Sequence, residues 1–159
     1  MDSGGMPSAP ALPLAEMRRC ASDPEFVEAV GELYAELDGE IAAHRPSCTN
    51  RGACCRFGEF GHRLFVTPVE LAYFAAVTEG PAARPTTADA CPYQRDGLCT
   101  TRVGRPSGCR IFFCDPAARS WQPPLTEAIL ARLKELHDRF NLPYVYLDWI
   151  RALGQLAGS

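Results

Sequence analysis

The chain has 159 residues, a mass of 17.4 kDa and a formal net charge of -3. This length suits one domain with a single core. Because the net charge is negative, the sequence gives no reason to expect electrostatic binding to nucleic acid or to an anionic membrane. Prolines and charges interrupt every apolar run before it reaches the roughly 18 residues that a membrane span requires. We therefore predict no nucleic-acid partner and no membrane insertion.

Segment 1–15 is predicted to be a disordered tail, and residues 16–159 to form the single domain. The start of the chain is rich in Gly, Ser, Pro and Ala and lacks both the basic start and the apolar centre of a secretory signal. We therefore predict a cytoplasmic protein. In that reducing compartment, metal binding explains the eight cysteines better than disulfides do. Structural disulfides are the alternative for an exported protein.

Two helices are predicted in the first half of the chain. Asp23-Pro24-Glu25 combines an N-cap, a proline at the first helical position and an early acid, and helical spacing of apolar residues then continues, so this helix should run to about Arg45. Residues 62–66 look like a short strand. Thr67-Pro68-Val69-Glu70 predicts a capping box, and hence a second helix over about 68–77.

The second half predicts a tight turn and two more helices. Asp96-Gly97 indicates a small hairpin between the cysteines on either side of it. A third helix should follow Pro123-Pro124 and end near Asn141, and 144–153 should form a short capping helix. The predicted fold class is mainly α, with three to four helices around an irregular cysteine-rich centre and little or no sheet.

The cysteines are the chemical signal of this sequence. They stand beside Pro, Gly and Asp-Gly turns instead of at helical or strand periods, as is typical of metal ligands presented by loops. Small buried hydrophobes are the alternative interpretation, and Cys20 stands apart from the rest. The predicted metal ligands are Cys48, Cys54, Cys55, Cys91, Cys99, Cys109 and Cys114.

Segment 46–114 is also net positive before any thiolate forms. Guanidinium groups lower the pKa of nearby thiols and offset the charge of a thiolate-bound centre. For most single arginines a solvated position remains the better interpretation. The eight arginines of this segment are Arg51, Arg56, Arg63, Arg84, Arg95, Arg102, Arg105 and Arg110.

The cysteine pattern resembles that of the YkgJ-type cysteine-cluster proteins, a family described as chelating zinc or iron. The matching residues are Cys48 to Cys55 (CxxCxxCC in the family), Cys91-Pro92-Tyr93, Gly97-Leu98-Cys99, Arg105-Pro106, Cys109-Arg110 through Cys114, and the helix start at Thr67 and Glu70. The resemblance covers about 45–115. It implies metal binding and no particular reaction. Arg51 stands where the family has its second cysteine, which removes one possible ligand.

The spacing favours iron over zinc. A zinc site usually uses CxxC-like pairs, which this chain lacks, whereas an iron-sulfur cluster accepts four thiolates from scattered loops. Two zinc ions would need His62 or Cys20 as an eighth ligand. The predicted cofactor is therefore an iron-sulfur cluster, with zinc as the alternative.

These features predict a cysteine-ligated metal-binding protein with a redox or electron-transfer role toward an unknown protein or redox partner. The alternative is a zinc-stabilised, non-catalytic interaction module. No catalytic residue can be named, because no nucleotide-binding loop and no HExxH occurs, and enzyme activity is left open. His44 should cap the first helix, and His137 should be a partly exposed helical residue. Aromatic residues predicted to shield the metal are Phe57, Phe60, Tyr93, Phe112 and Phe113.

Overall fold

The computed structural model describes residues 10–47, 63–113 and 115–158. Over these ranges the chain is mainly helical, with six α-helices and two small antiparallel sheets. In chain order the elements are α1 Leu14–Ala21, α2 Pro24–Ala43, β1 Phe65–Val66, α3 Pro68–Val77, β2 Gln94–Arg95, β3 Leu98–Cys99, α4 Ser107–Ile111, α5 Gln122–Arg139, β4 Leu147–Asp148 and α6 Trp149–Ala157. Short 3-10 turns cover Arg102–Gly104 and Pro116–Ser120. None of the helices in the described ranges has the length and apolar character needed to cross a membrane.

The mainly helical class is confirmed, but three to four helices is too few for the described part of the chain. Helix α1 was not predicted, and it begins at Leu14, inside the range assigned to the tail. Its Met17 and Cys20 are buried, and Leu12 just before it is buried as well. Helix α4 was not predicted either, because five residues after a turn carry no readable period. Both helices are stabilised by packing that the local sequence does not show.

Helix α2 begins where its capping residues predict. The side chain of Asp23 accepts a hydrogen bond from the backbone N–H of Glu25, and Pro24 occupies the first helical position. The apolar residues at helical spacing form its buried face. The helix ends at His44, whose ring stacks on Trp121 with 4.6 Å between ring centroids.

Helix α3 lies at the centre of the core and contacts α1, α2, α5 and the first 3-10 turn. The predicted capping box is present: Oε2 of Glu70 accepts from the backbone N–H of Thr67 at 2.9 Å and from its hydroxyl at 3.2 Å. Oε1 of Glu70 accepts from the N–H of Ser107 at 2.8 Å and from its hydroxyl at 2.6 Å. One buried carboxylate thus joins the start of α3 to the start of α4.

The two sheets connect distant parts of the chain. Strands β2 and β3 form the predicted hairpin, and both turn residues, Asp96 (φ 51°) and Gly97 (φ 80°), adopt the left-handed conformation of a type I′ turn. Strand β1 pairs with β4, with Phe65 opposite Asp148. The β1–β4 pair fixes α6 beside α3, where Trp149 packs edge-on against Phe74 at 5.1 Å.

Candidate functional site

Three of the seven predicted metal ligands lie within the described residues: Cys91, Cys99 and Cys109. Cys91 accepts a hydrogen bond at its Sγ from the indole N–H of Trp149 at 3.3 Å. Cys99, at the end of β3, lies 3.7 Å from the hydroxyl of Thr101. Cys109 lies in α4 and packs against the core. The other predicted ligands, Cys48, Cys54, Cys55 and Cys114, lie outside the described residues, as does His62.

The predicted function of a cysteine-ligated metal-binding protein, and with it the zinc-stabilised alternative, is contradicted. Across the ranges 10–47, 63–113 and 115–158, no group of three or more His, Cys, Asp or Glu side chains is placed to hold a metal ion. Among the contacts that the structure gives for the described cysteines, Cys91 contacts an indole, Cys99 a hydroxyl and Cys109 the core. The ligand set and the choice of iron-sulfur cluster or zinc remain predictions from the sequence, since nothing in the described ranges tests them.

Cys20 and His137 differ from their predicted roles. Cys20 is buried on the core face of α1, which suits a small hydrophobe and not a reserve ligand. His137 is buried too, although a partly exposed position was predicted. Its Nδ1 contacts the carbonyl of Leu142 at 2.9 Å and its Nε2 lies 3.4 Å from the backbone N–H of Val69. Burial lowers the pKa of His137 below its ordinary 6.5, so the neutral ring links α5 to α3.

Arg110, one of the eight arginines in segment 46–114, forms contacts with a carboxylate, backbone carbonyls and an aromatic ring. Arg110 donates to the carboxylate of Asp38 at 2.8 Å and to the carbonyl of Val103 at 2.6 Å. Its guanidinium also lies 4.1 Å from the centroid of the Tyr34 ring. Arg110 therefore connects α4 to α2 through these contacts, and neutralising thiolates is not needed to explain its position.

The described surface does contain a cleft suited to a small ligand, which we call the α1–α3 cleft. It has a volume of about 280 Å³ and lies between α1, α3, the loop 80–82 and the end of α6. Small residues on several elements leave this space, among them Ala72 and Ala75 on one side of α3. Its full lining is Leu14, Met17, Arg18, Ala21, Ala72, Phe74, Ala75, Thr78, Gly80, Pro81, Ala82, Tyr93, Leu156 and Ala157.

The floor of the cleft is apolar and the polar groups are few. Met17, Ala72 and Phe74 are buried beneath it. Arg18 is the one charged residue of the lining and is exposed. No ion pair holds Arg18 within the described ranges. A mostly apolar lining with a few polar or charged groups is typical of small-molecule sites, in which those groups set the orientation of the ligand.

Tyr93 supplies another polar group of the cleft, whose lining also includes Thr78. Its ring packs edge-on against Phe74 at 5.2 Å, and its hydroxyl oxygen accepts from the backbone N–H of Ala83 at 2.8 Å. Burial raises the pKa of Tyr93 above its ordinary 10.0, so the hydroxyl keeps its proton at neutral pH. Within the part of the chain that the structure describes, no acceptor takes that proton. Tyr93 was predicted to shield a metal; its hydroxyl is instead able to donate to a ligand.

The sequence contains a weak signal for this cleft. Leu14, Met17, Arg18 and Ala21 recur at the spacing of one helix face, and Ala72 and Ala75 are three apart in α3. The spacing defines each face by itself. That the two faces lie against each other is a property of the tertiary fold.

No protein-family model, no curated protein and no solved structure matches this chain. The resemblance of residues 45–115 to the YkgJ-type proteins therefore stays a prediction from the sequence.

Proposed function

We propose that this protein binds a small amphiphilic carboxylate, an aliphatic chain with one acid head group, in the α1–α3 cleft. The observation that carries the proposal is a cleft of about 280 Å³ with an apolar floor, whose one charged lining residue, Arg18, has no ion pair with any described residue. The apolar floor favours an aliphatic chain, and the guanidinium favours a carboxylate.

The size of the cleft limits the ligand. A liquid water molecule occupies about 30 Å³, so a volume of about 280 Å³ corresponds to roughly nine or ten non-hydrogen atoms. Octanoate has this size. Longer chains should extend beyond the apolar lining and gain little from the added carbons.

The polar groups favour the acid head group over other head groups. Arg18 supplies a permanent positive charge, and the Tyr93 hydroxyl supplies a proton that no group in the described ranges accepts. A carboxylate accepts from both, an alcohol gains less from the cation, and a primary amine is repelled by it. The charge and hydrogen-bond pattern therefore sets specificity, and the apolar floor sets affinity.

A chain-length series tests the apolar part by calorimetric titration with hexanoate, octanoate, decanoate and dodecanoate. Each buried methylene contributes up to about 0.8 kcal/mol, which is about a fourfold gain in affinity. Affinity should rise from hexanoate to octanoate and level off for decanoate and dodecanoate. A continued rise through dodecanoate, as micelle-like adsorption would give, contradicts the proposal.

Head-group comparison and paired variants test the polar part. Octanoate should bind more tightly than 1-octanol, and octylamine most weakly. Arg18→Gln should weaken octanoate about fivefold, since an exposed charge pair contributes up to about 1 kcal/mol, and should leave 1-octanol unchanged. Arg119→Gln makes the same charge change on an exposed residue outside the cleft and should have no effect.

A cavity-filling pair tests the location. Ala75 and Ala76 are neighbours on α3 and are both exposed, but only Ala75 lines the cleft. Ala75→Leu should abolish octanoate binding because the added side chain occupies the site. Ala76→Leu is the matched control and should bind octanoate as the wild type does. Equal binding by both variants places the ligand elsewhere and contradicts the proposal.

Two predictions from the sequence are kept as proposals beside this function. One is membership of the YkgJ-type family over residues 45–115. The other is a cytoplasmic location.

A further inference from the structure

The surface around β1 and β4 exposes aromatic side chains close to basic ones. Phe65, Tyr144 and Tyr146 are 43%, 39% and 45% exposed, and the rings of Phe65 and Tyr146 lie 5.4 Å apart. Beside them is a groove of about 450 Å³ that Arg63 and Arg151 also line. Tyrosine and arginine are the residues that contribute most energy to protein interfaces. With Lys134, these residues are called the aromatic–basic face.

No carboxylate among the residues that the structure describes forms an ion pair with the cations of this face. Lys134 lies over the ring of Tyr144 with its Nζ 5.3 Å from the ring centroid, and Arg63 donates to a backbone carbonyl at 2.8 Å. Neither these two nor Arg151 forms an ion pair in the described ranges. The one carboxylate of the groove, Asp148, accepts from two backbone N–H groups at the start of α6. The face therefore presents more positive than negative charge to a partner.

A complementary surface exists on α2. Its exposed acids at four-residue spacing lie on one helix face, and we call them the acidic stripe: Glu28, Glu32, Glu36 and Glu40. Glu36 pairs with Arg132 at 3.0 Å, whereas the other three have no ion pair in the described ranges. Like charges at this spacing repel each other, so a basic partner would relieve an unfavourable arrangement.

Small residues make the acidic stripe accessible to aromatic rings. Ala35 and Gly39 lie on the same side of α2 as Glu32, and both are exposed. A Cβ added at Gly39 would meet nothing within 4 Å. The helix surface between the carboxylates is therefore flat enough for a tyrosine or phenylalanine ring.

We propose that the aromatic–basic face binds the acidic stripe of a second copy of this chain. The carboxylates of the stripe pair with Arg63, Arg151 and Lys134, and the exposed rings pack over Ala35 and Gly39. The two surfaces differ, so the contact is head-to-tail and leaves one free surface of each kind on a dimer. Such a contact adds further copies as the protein concentration rises.

Sedimentation velocity tests the association with the full chain. Between about 20 μM and about 1 mM protein, the weight-average sedimentation coefficient should rise at about 25 mM NaCl. At about 300 mM NaCl, where the screening length falls to roughly 6 Å, association should weaken at least tenfold. A coefficient that stays monomeric over the whole range at low salt overturns the proposal.

Charge reversal identifies the surfaces. The variants Arg63→Glu/Arg151→Glu and Glu28→Arg/Glu32→Arg should each be monomeric alone, because the reversed charges of each variant repel the matching charges of its unchanged surface. Mixed in equal amounts, they should associate again, since the basic face of one meets the acidic stripe of the other. Rescue in the mixture also excludes misfolding as the cause of the loss. Association of either variant alone, or no rescue, overturns the proposal.

Two controls separate this contact from unspecific charge attraction between copies. Arg119→Glu/Glu127→Arg reverses exposed charges outside both surfaces and should associate as the wild type does. Phe65→Ser should weaken association at both salt concentrations, because ring packing is not screened. If the wild type stays monomeric and the aromatic–basic face binds a labelled thymidine oligonucleotide or a labelled glutamate-rich peptide, the partner is a different macromolecule and the proposal fails.

Discussion

Replacing Glu70 should separate the start of α3 from the start of α4. Its buried carboxylate accepts four hydrogen bonds, two from Thr67 and two from Ser107. In Glu70→Ala the two hydroxyls can turn toward other groups, but the two backbone N–H groups are left buried without an acceptor. Each of these orphaned donors costs about 1–3 kcal/mol.

The expected losses differ between two variants. In Glu70→Ala, two unsatisfied N–H groups and a small cavity lower the free energy of unfolding, and removal of the buried charge offsets part of this. We expect a net loss of about 3–4 kcal/mol. Glu70→Gln keeps an acceptor oxygen for Ser107 but turns an NH₂ group toward the N–H of Thr67. We therefore expect a loss of about 1–2 kcal/mol for the glutamine variant.

Urea denaturation followed by circular dichroism at neutral pH measures both losses. The control is Glu127→Ala, which removes an exposed carboxylate from α5 and should change the free energy of unfolding by less than about 0.5 kcal/mol. A loss below about 1 kcal/mol for Glu70→Ala, or equal losses for both Glu70 variants, would refute the proposed role of this carboxylate.

The pH dependence adds a second check. Burial raises the pKa of Glu70 above its ordinary 4.5, so the folded state binds this proton more tightly than the unfolded state does. The stability of the wild type should then fall, relative to Glu70→Gln, as the pH rises from 4.5 through the folded pKa. The difference in free energy of unfolding between the wild type and Glu70→Gln should therefore become smaller as the pH rises over that range. A widening gap would show that the hydrogen bonds to the charged form outweigh burial.

Four further substitutions probe contacts of the fold. Arg110→Lys should lower the free energy of unfolding in urea by about 1–3 kcal/mol, because the single nitrogen of a lysine cannot reach the three separate acceptors that Nε, Nη1 and Nη2 of Arg110 contact; an unchanged midpoint would contradict this. Burial lowers the pKa of His137, so as the pH falls below 6.5 the unfolded state is protonated before the folded state. The melting temperature of the wild type should therefore fall as the pH drops from 6.5 toward the pKa of the folded state, and that of His137→Gln should not. Gly104→Ala should lose about 1–3 kcal/mol, because its Cβ would lie 3.0 Å from Phe74, whereas Gly39→Ala, in open space, should gain up to about 1 kcal/mol; the reverse order would contradict the close packing at Gly104.

Local signals predicted most of the secondary structure because their causes are local. Asp23 and Thr67 each cap a helix within three residues, and Asp96-Gly97 closes a hairpin by adopting positive φ angles. Helix α1 and the buried His137 were not predicted, because what stabilises them lies far away in sequence. His137, for example, contacts the N-terminus of α3, 68 residues earlier in the chain.

The candidate site was the least predictable part. The metal-site hypothesis required distant loops to converge, and cysteine spacing alone does not encode convergence. The α1–α3 cleft depends on the same kind of information: Ala72 and Ala75 look like ordinary helix residues until α1 lies opposite them. Arg18 gains its significance only from that apolar surrounding.

The most direct test of the proposed function is a ¹H–¹⁵N correlation spectrum of the full chain titrated with octanoate. Binding in the α1–α3 cleft predicts saturable shifts confined to the amides of residues 14–21, 72–82 and 156–157, and to Tyr93. Unchanged amides in these segments, or shifts spread evenly over the chain, would contradict the assignment of the cleft as the binding site.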